Sequence, residues 1–173
     1  MKGKKMVKGI LLLALGVIVS YLFKLWGFAI NIYLPIEITV LLAGVLLGPI
    51  YGLILGALDP LLISLCIESL RLSLILLMIT KLGVYGLLSG LVYREFNILT
   101  SLISAIIGGK IIFWVGFWTA IRLFKVEQLI SLISKESLLV GFYSIMIQII
   151  LIPVIITVIN KKSSPKVDYK LRV

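Results

Sequence analysis

The sequence predicts an all-α integral membrane protein, a compact bundle of six transmembrane helices with both termini in the cytoplasm. Three observations predict this class. The 173-residue chain is 61% hydrophobic and only 14% charged, long apolar runs follow one another, and positive residues concentrate towards both ends. Apolar runs in lipid satisfy their backbone polar groups as helices. We therefore expect a multi-pass protein of a prokaryotic plasma membrane, in contact with membrane lipid.

Six apolar segments are the predicted spans: Val7–Phe23, Ile36–Leu47, Ile50–Cys66, Leu72–Tyr93, Ile98–Phe124 and Leu138–Ile159. The second and third form one stretch that Gly48 and Pro49 interrupt. A proline there either kinks one helix or closes a tight turn between two short helices. Lysines flank the first and last spans, and Arg94 falls on the same side, which favours an even number of spans. The predicted organisation is a transmembrane domain, 1–160, and a basic cytoplasmic tail, 161–173.

Composition narrows the possible functions. The chain has one cysteine, Cys66, and no histidine, which excludes an internal disulfide, histidine-ligated metals and imidazole relays. The net charge of +10 is interpreted as a topology signal, so no nucleic-acid partner is expected. The seven acidic residues are scattered, which disfavours a membrane enzyme. We expect no metal and no cofactor.

A lysine near the centre of the fifth span is the strongest functional signal. Lys110 lies about 15 Å from either boundary at the helical rise per residue, which is too deep for its stem to reach the interface. A charge at this depth costs about 2.5–3.5 kcal/mol and is expected to face a partner or a wet cavity. Trp114, Trp118 and Arg122 follow at four-residue steps on the same face. The tryptophans either pack and form an interfacial belt, or line a pocket.

Lys81 is a second deep cation, in the fourth span. The candidate counter-charges are Glu37, at the outer start of the second span, and Asp59, at the outer end of the third. One interpretation is an ion pair between Lys81 and Glu37 that stabilises the bundle. The alternative is a bound anion, typically a carboxylate, since two deep cations have no acid at equal depth. Gln148 either contributes to this site or forms an interhelical hydrogen bond.

Outer segments and small residues supply further candidates. Asn31 and Tyr33, between the first two spans, are expected to contact a solute. Residues 126–135 predict an amphipathic helix that lies at the interface or covers the bundle. Gly16 and Ser20 form a small-xxx-small pair that meets a helix either inside the protein or on a partner. Four glycines at four-residue spacing predict close helix packing: Gly44, Gly48, Gly52 and Gly56.

Two segments, LPIEITVLLAGVLLGPIYGLILGALDPLL and KLGVYGLLSGLVYR, carry a family resemblance. They resemble the membrane-embedded substrate-binding subunits, or S components, of energy-coupling factor vitamin transporters, with their "aGxxxGPxxG" hairpin and "YGLxxGLxYR" helix. The IIGGKIIFW segment resembles a fifth-helix motif of one branch. The resemblance implies a subunit that captures a vitamin-like solute from outside and docks through its first helices on a transmembrane coupling protein. Two partner ATPases would supply the energy, since this chain has no GxxxxGK[ST] motif.

Three positions depart from that branch. Glu37 stands where histidine is frequent, Lys81 where glutamate is frequent, and Lys110 where arginine is usual. The first two changes together preserve an ion pair with reversed polarity, and the lack of histidine argues against nickel and cobalt carriers. The predicted solute-binding residues are Lys110, Trp114, Trp118, Lys81, Asn31, Tyr33, Glu37, Asp59 and Gln148. Gly16 and Ser20 are the predicted docking contact. The alternative function is a non-transport scaffold component of a cell-envelope assembly, in which both lysines pair with protein acids.

Overall fold

The computed structural model describes residues 2–26, 33–66, 72–124 and 135–163. Across these ranges the chain forms six helices and no strand. The helices are α1 (Lys2–Leu25), α2 (Tyr33–Leu47), α3 (Pro49–Cys66), α4 (Leu72–Tyr93), α5 (Ile98–Phe124) and α6 (Lys135–Ser163).

The predicted bounds hold best where charged or polar residues flank a long apolar run. Both α4 and α5 begin and end at the predicted residues, whereas α2 begins three residues early, at Tyr33. Helices α1 and α6 extend past the predicted spans into their lysine-containing ends. Lys135 begins α6, and the rest of the amphipathic helix predicted over 126–135 lies outside the described residues. Residues 161–163 of the predicted tail continue α6, and 164–173 lie outside the described residues.

The junction at Gly48 and Pro49 is a tight turn between two helices. Gly48 has φ of +111°, a left-handed conformation that glycine adopts without the steric penalty of a Cβ. Its N–H donates to the carbonyl of Gly44 at 3.0 Å, and its own carbonyl accepts from the N–H of Gly52 at 3.0 Å. Pro49 begins α3, where the missing N–H removes no helical hydrogen bond. The result is an antiparallel α2–α3 hairpin.

Glycines let this hairpin contact α4 at backbone distance. A Cβ at Gly52 would meet the backbone of Gly86, and a Cβ at Gly56 would meet the backbone of Leu82. Gly44 lies against the Gly86 carbonyl in the same way. The predicted close packing is therefore present, and its partner is the glycine stripe of α4.

Helix α2 is the centre of the structure. Every residue from 35 to 45 is buried, so this helix is apolar on nearly all faces rather than on one stripe. Helix α1 runs antiparallel to it, because the Lys5 ammonium donates to the Leu47 carbonyl at 3.3 Å while Gly16 contacts Thr39. Helix α4 packs on another side of α2, where the Ser89 hydroxyl donates to the Leu41 carbonyl at 3.3 Å.

The outer helices expose apolar side chains, as a lipid-facing surface does. Within the part of the chain that the structure describes, three helical segments are long and apolar enough to cross a membrane: Gly3–Leu25, Ile75–Tyr93 and Ile98–Thr119. Exposed large side chains continue along α6: Tyr143, Met146, Ile147, Ile150, Leu151, Val154, Val158 and Ile159. The all-helical architecture and three helices of membrane-spanning length indicate a membrane protein.

Candidate functional site

Glu37 is the centre of a polar cluster inside the helical core. Its side chain, on α2, is only 10% exposed and forms an ion pair with the Lys81 ammonium of α4. Its second oxygen accepts hydrogen bonds from the Gln148 amide and, at 3.3 Å, from the Ser144 hydroxyl, both on α6. The carboxylate thus connects three helices, and both of its oxygens have donors. This satisfies the main condition for burying a charge in an apolar surrounding.

Lys81 is held in place by aromatic rings as well as by Glu37. Its ammonium lies 5.2 Å from the centre of the Tyr85 ring and 5.7 Å from the centre of the Phe113 ring. Both separations allow cation–π attraction. Tyr85 lies one helical turn after Lys81 on α4 and is almost fully buried, and Phe113 belongs to α5. The side chain of Lys81 is 19% exposed. The structure therefore has the ion pair between Lys81 and Glu37, which was one of the two interpretations of Lys81.

Lys110 lies beside this cluster without joining it. It is the thirteenth of the 27 residues of α5, next to Gly109, whose backbone lies against Lys81 and Tyr85 of α4. The Lys110 ammonium is close enough to be repelled by Lys81 and attracted by Glu37. Among the side chains that the structure describes, none forms a hydrogen bond or an ion pair with it.

The cluster and Lys110 together therefore carry an excess positive charge. Lys81 is paired with Glu37, and Lys110 adds one ammonium group that has no acid partner among the described side chains. Lys110 is half-buried, and wherever water is excluded around it an uncompensated charge attracts a counter-ion strongly. An acidic group bound near Lys110 would neutralise the cluster.

Gln148 leaves one acceptor beside the same cluster. Its amide nitrogen donates to Glu37 and, at 2.9 Å, to the Ser144 hydroxyl. Its amide oxygen is buried and has no hydrogen-bond partner among the described residues. The predicted interhelical hydrogen bond of Gln148 is present, and an acceptor remains beside it.

Asp59 lies apart from both lysines. It is on α3, fully buried, and its Oδ2 atom is 3.4 Å from the Thr39 hydroxyl of α2. Glu37 and Thr39 are two residues apart on one helix, which separates their directions by about 200°. Asp59 was a candidate counter-charge for a buried lysine, but among the described residues no ion pair joins it to either lysine.

The tryptophans line an open groove on α5. A cavity of about 540 Å³ is bordered by Trp114, Val115, Trp118, Thr119 and Arg122. Its indoles are 42% and 59% exposed, and the Arg122 guanidinium lies 5.9 Å from the Trp118 ring centre, within cation–π distance. The groove begins one helical turn beyond Lys110. The pocket-lining interpretation fits this groove, and the interfacial position stays a prediction.

The remaining predicted residues have different positions. Gly16 faces α2, where a Cβ would lie 2.6 Å from the Thr39 hydroxyl, and Ser20 is fully buried. This pair is therefore inside the chain, the first of its two interpretations, and does not present a surface to a partner. Tyr33 is the first residue of α2, and Asn31 lies outside the described residues.

Sequence reasoning missed two polar side chains that contact predicted site residues: Ser144, which contacts Glu37 and Gln148, and Thr39, which contacts Asp59. Ser144 was detectable, because it precedes Gln148 by four residues and so shares its helix face. Thr39 gave no such signal, since a single threonine in an apolar helix commonly bonds its own backbone, as it does here to the Ile36 carbonyl at 2.9 Å.

Comparison with known proteins adds no identification. The chain matches no protein-family model, and neither curated proteins nor solved structures gave a significant match.

Proposed function

We propose that this protein is the membrane-embedded solute-binding subunit of an energy-coupling factor importer. In this proposal six helices span the plasma membrane, both termini are cytoplasmic, and the subunit captures a small vitamin-like acid from outside. It then docks on a transmembrane coupling protein that two ATPase subunits drive. The proposal combines the sequence resemblance with the buried cluster around Glu37.

The observation that carries the proposal is the excess positive charge at Lys110. In a scaffold protein we expect every buried ion to be paired, because an unpaired ion destabilises the fold and a scaffold has no function that requires it. The Glu37–Lys81 pair alone would serve a scaffold. Lys110 adds a cation that has no acid partner among the described side chains, as expected where a ligand supplies the anion.

In this proposal the neighbouring groups have different roles. Lys110 binds the acid group of the solute, while Lys81 positions Glu37 and is itself neutralised by it. The free amide oxygen of Gln148 accepts a hydrogen bond from an N–H or O–H group of the same solute. Trp114 and Trp118 line the groove that begins one helical turn from Lys110, and they offer flat apolar surfaces for a ring of the solute.

Gentle affinity purification of the tagged chain from its native membranes tests the function. We expect a coupling protein and two ATPase subunits to co-purify, and native mass spectrometry to show a small acidic adduct on the free subunit. Co-purification of cell-envelope assembly proteins, with no adduct, would instead support the scaffold function. An untagged strain and an unrelated multi-pass protein with the same tag serve as controls.

A further inference from the structure

A second polar group occupies the opposite side of α2, around Asp59. This carboxylate belongs to α3 and is fully buried. Its Oδ1 atom has no hydrogen-bond partner among the described residues, and no cation there forms an ion pair with it. A buried carboxylate without compensation is strongly unfavourable in an apolar helical core. Protonation of Asp59 or a positive ligand beside it would remove this penalty.

The geometry at Thr39 indicates where that ligand binds. The Thr39 hydroxyl lies 2.9 Å from the Ile36 carbonyl and 3.4 Å from Asp59 Oδ2. A hydroxyl has one hydrogen to donate, and the shorter contact is the usual threonine bond to its own helix. A lone pair of Thr39 then faces the carboxylate oxygen. Two oxygens in this position are held together either by a proton on Asp59, donated to Thr39, or by a metal ion that both can bind.

The 3.4 Å separation fits a metal ion of moderate size. A hydrogen bond between two oxygens has a length of about 2.7–2.8 Å, so this contact is long for one. Hard cations with the radius of Na⁺ or Ca²⁺ hold oxygen ligands at about 2.4 Å, which places ligands at right angles about 3.4 Å apart. The single carboxylate of Asp59 balances one positive charge, which favours Na⁺.

Further oxygen atoms lie on the adjoining helices. The Ser20 hydroxyl of α1 is fully buried and has no partner among the described residues. It lies one turn from Gly16, which contacts Thr39. Pro60 follows Asp59 inside α3 and has no N–H, so the Gly56 carbonyl loses its usual helical donor. Membrane transporters bind Na⁺ with backbone carbonyls that are released from helical hydrogen bonds, and hard cations in general take carboxylate and other oxygen ligands.

We propose that Asp59, Thr39 and Ser20 form a Na⁺ site that connects α1, α2 and α3. The Gly56 carbonyl lies one turn from Asp59 on the same face of α3 and completes the set of candidate ligands. This site is separate from the cluster at Glu37, because the two face opposite sides of α2. It stands whether or not the protein binds a solute at Lys110.

Thermal unfolding of the full chain in detergent tests the site. NaCl is titrated against choline chloride at constant ionic strength, since a ligand that binds the folded state raises the unfolding midpoint with the logarithm of its concentration. We expect Na⁺ to raise the midpoint and choline to leave it unchanged. Asp59→Asn is expected to abolish the response, whereas Glu95→Gln, at an exposed acid, retains it.

Variants that keep the Asp59 carboxylate test the site even if Asp59→Asn does not fold. Thr39→Ser keeps the hydroxyl and is expected to retain the Na⁺ response, and Thr39→Val and Ser20→Ala are expected to weaken Na⁺ affinity several-fold. Equilibrium binding of radioactive Na⁺ checks the same order of variants. The proposal is overturned if Na⁺ and choline act alike on the wild-type chain, or if Asp59→Asn responds to Na⁺ as the wild type does.

Discussion

Glu37 and Thr39 are two residues apart on α2, yet they contact different helices. Glu37 binds Lys81 of α4 and Gln148 of α6, whereas Thr39 faces Asp59 of α3 and Gly16 of α1. The fully buried α2 thereby separates two polar groups, one with excess positive charge and one with an unpaired carboxylate.

Loss of Glu37 is expected to destabilise the protein more than loss of Lys81. Glu37→Gln leaves Lys81 and Lys110 as two uncompensated cations, and removal of one partner from a buried pair costs about 3–5 kcal/mol. Lys81→Met leaves Glu37 with Lys110 as its only cation, a net charge of zero, and with two donors on α6. Its expected cost is therefore smaller. Thermal unfolding in one detergent, with the exposed Glu95→Gln as the control, measures the order.

The double variant Glu37→Gln/Lys81→Met completes that comparison. Residues in direct contact show coupling energies of about 0.5–3 kcal/mol, so the double variant should be more stable than the sum of single effects implies. Additive effects, or Lys81→Met as the more harmful change, would show that the pair does not stabilise the fold as described.

Lys110→Gln is expected to leave the solute-free protein as stable as the wild type or slightly more stable. The substitution removes repulsion between Lys110 and Lys81 and leaves the neutral Glu37–Lys81 pair intact. Lys8→Gln, at an exposed lysine of α1, is the matched control. The unfolding midpoint of both variants in the same detergent is the measurement, and a large loss of stability in Lys110→Gln alone would indicate a structural role.

Gly52→Ala is expected to separate the α2–α3 hairpin from α4. The added Cβ would meet the backbone of Gly86, which cannot rotate away as a side chain can. Overpacking of this kind costs about 1–3 kcal/mol. Gly3→Ala is the control, because a Cβ at Gly3 meets no atom within 4 Å. Equal unfolding midpoints for the two alanine variants would contradict the observed backbone contact.

The sequence predicted helix positions well where apolar runs end in charges or turn residues. Helices α4 and α5 were located to the residue, and the Gly48–Pro49 break was recognised, although either a kink or a turn fitted it. Only the three-dimensional packing decides that choice, since both use the same residues. The inward direction of Gly16 was equally undetermined, because one small-residue pair fits an internal or an external neighbour.

The sequence predicted which charged and amide residues belong to the candidate site, but it did not predict which of them contact one another. Lys81, Lys110, Glu37 and Gln148 stand out because ionic and amide groups are rare in apolar helices. Their pairing depends on helix rotation about α2, which determines that Lys81 meets Glu37 and that Asp59 faces Thr39. Sequence spacing fixes directions within a helix but not between helices.

Native mass spectrometry of wild-type, Lys110→Gln and Lys8→Gln protein from the native membranes tests the central claim most directly. We predict an acidic small-molecule adduct on the wild type and on Lys8→Gln, and its loss from Lys110→Gln while that variant keeps its unfolding midpoint. Equal occupancy of the adduct on Lys110→Gln, or no adduct on any of the three proteins, would contradict a solute-binding role for Lys110.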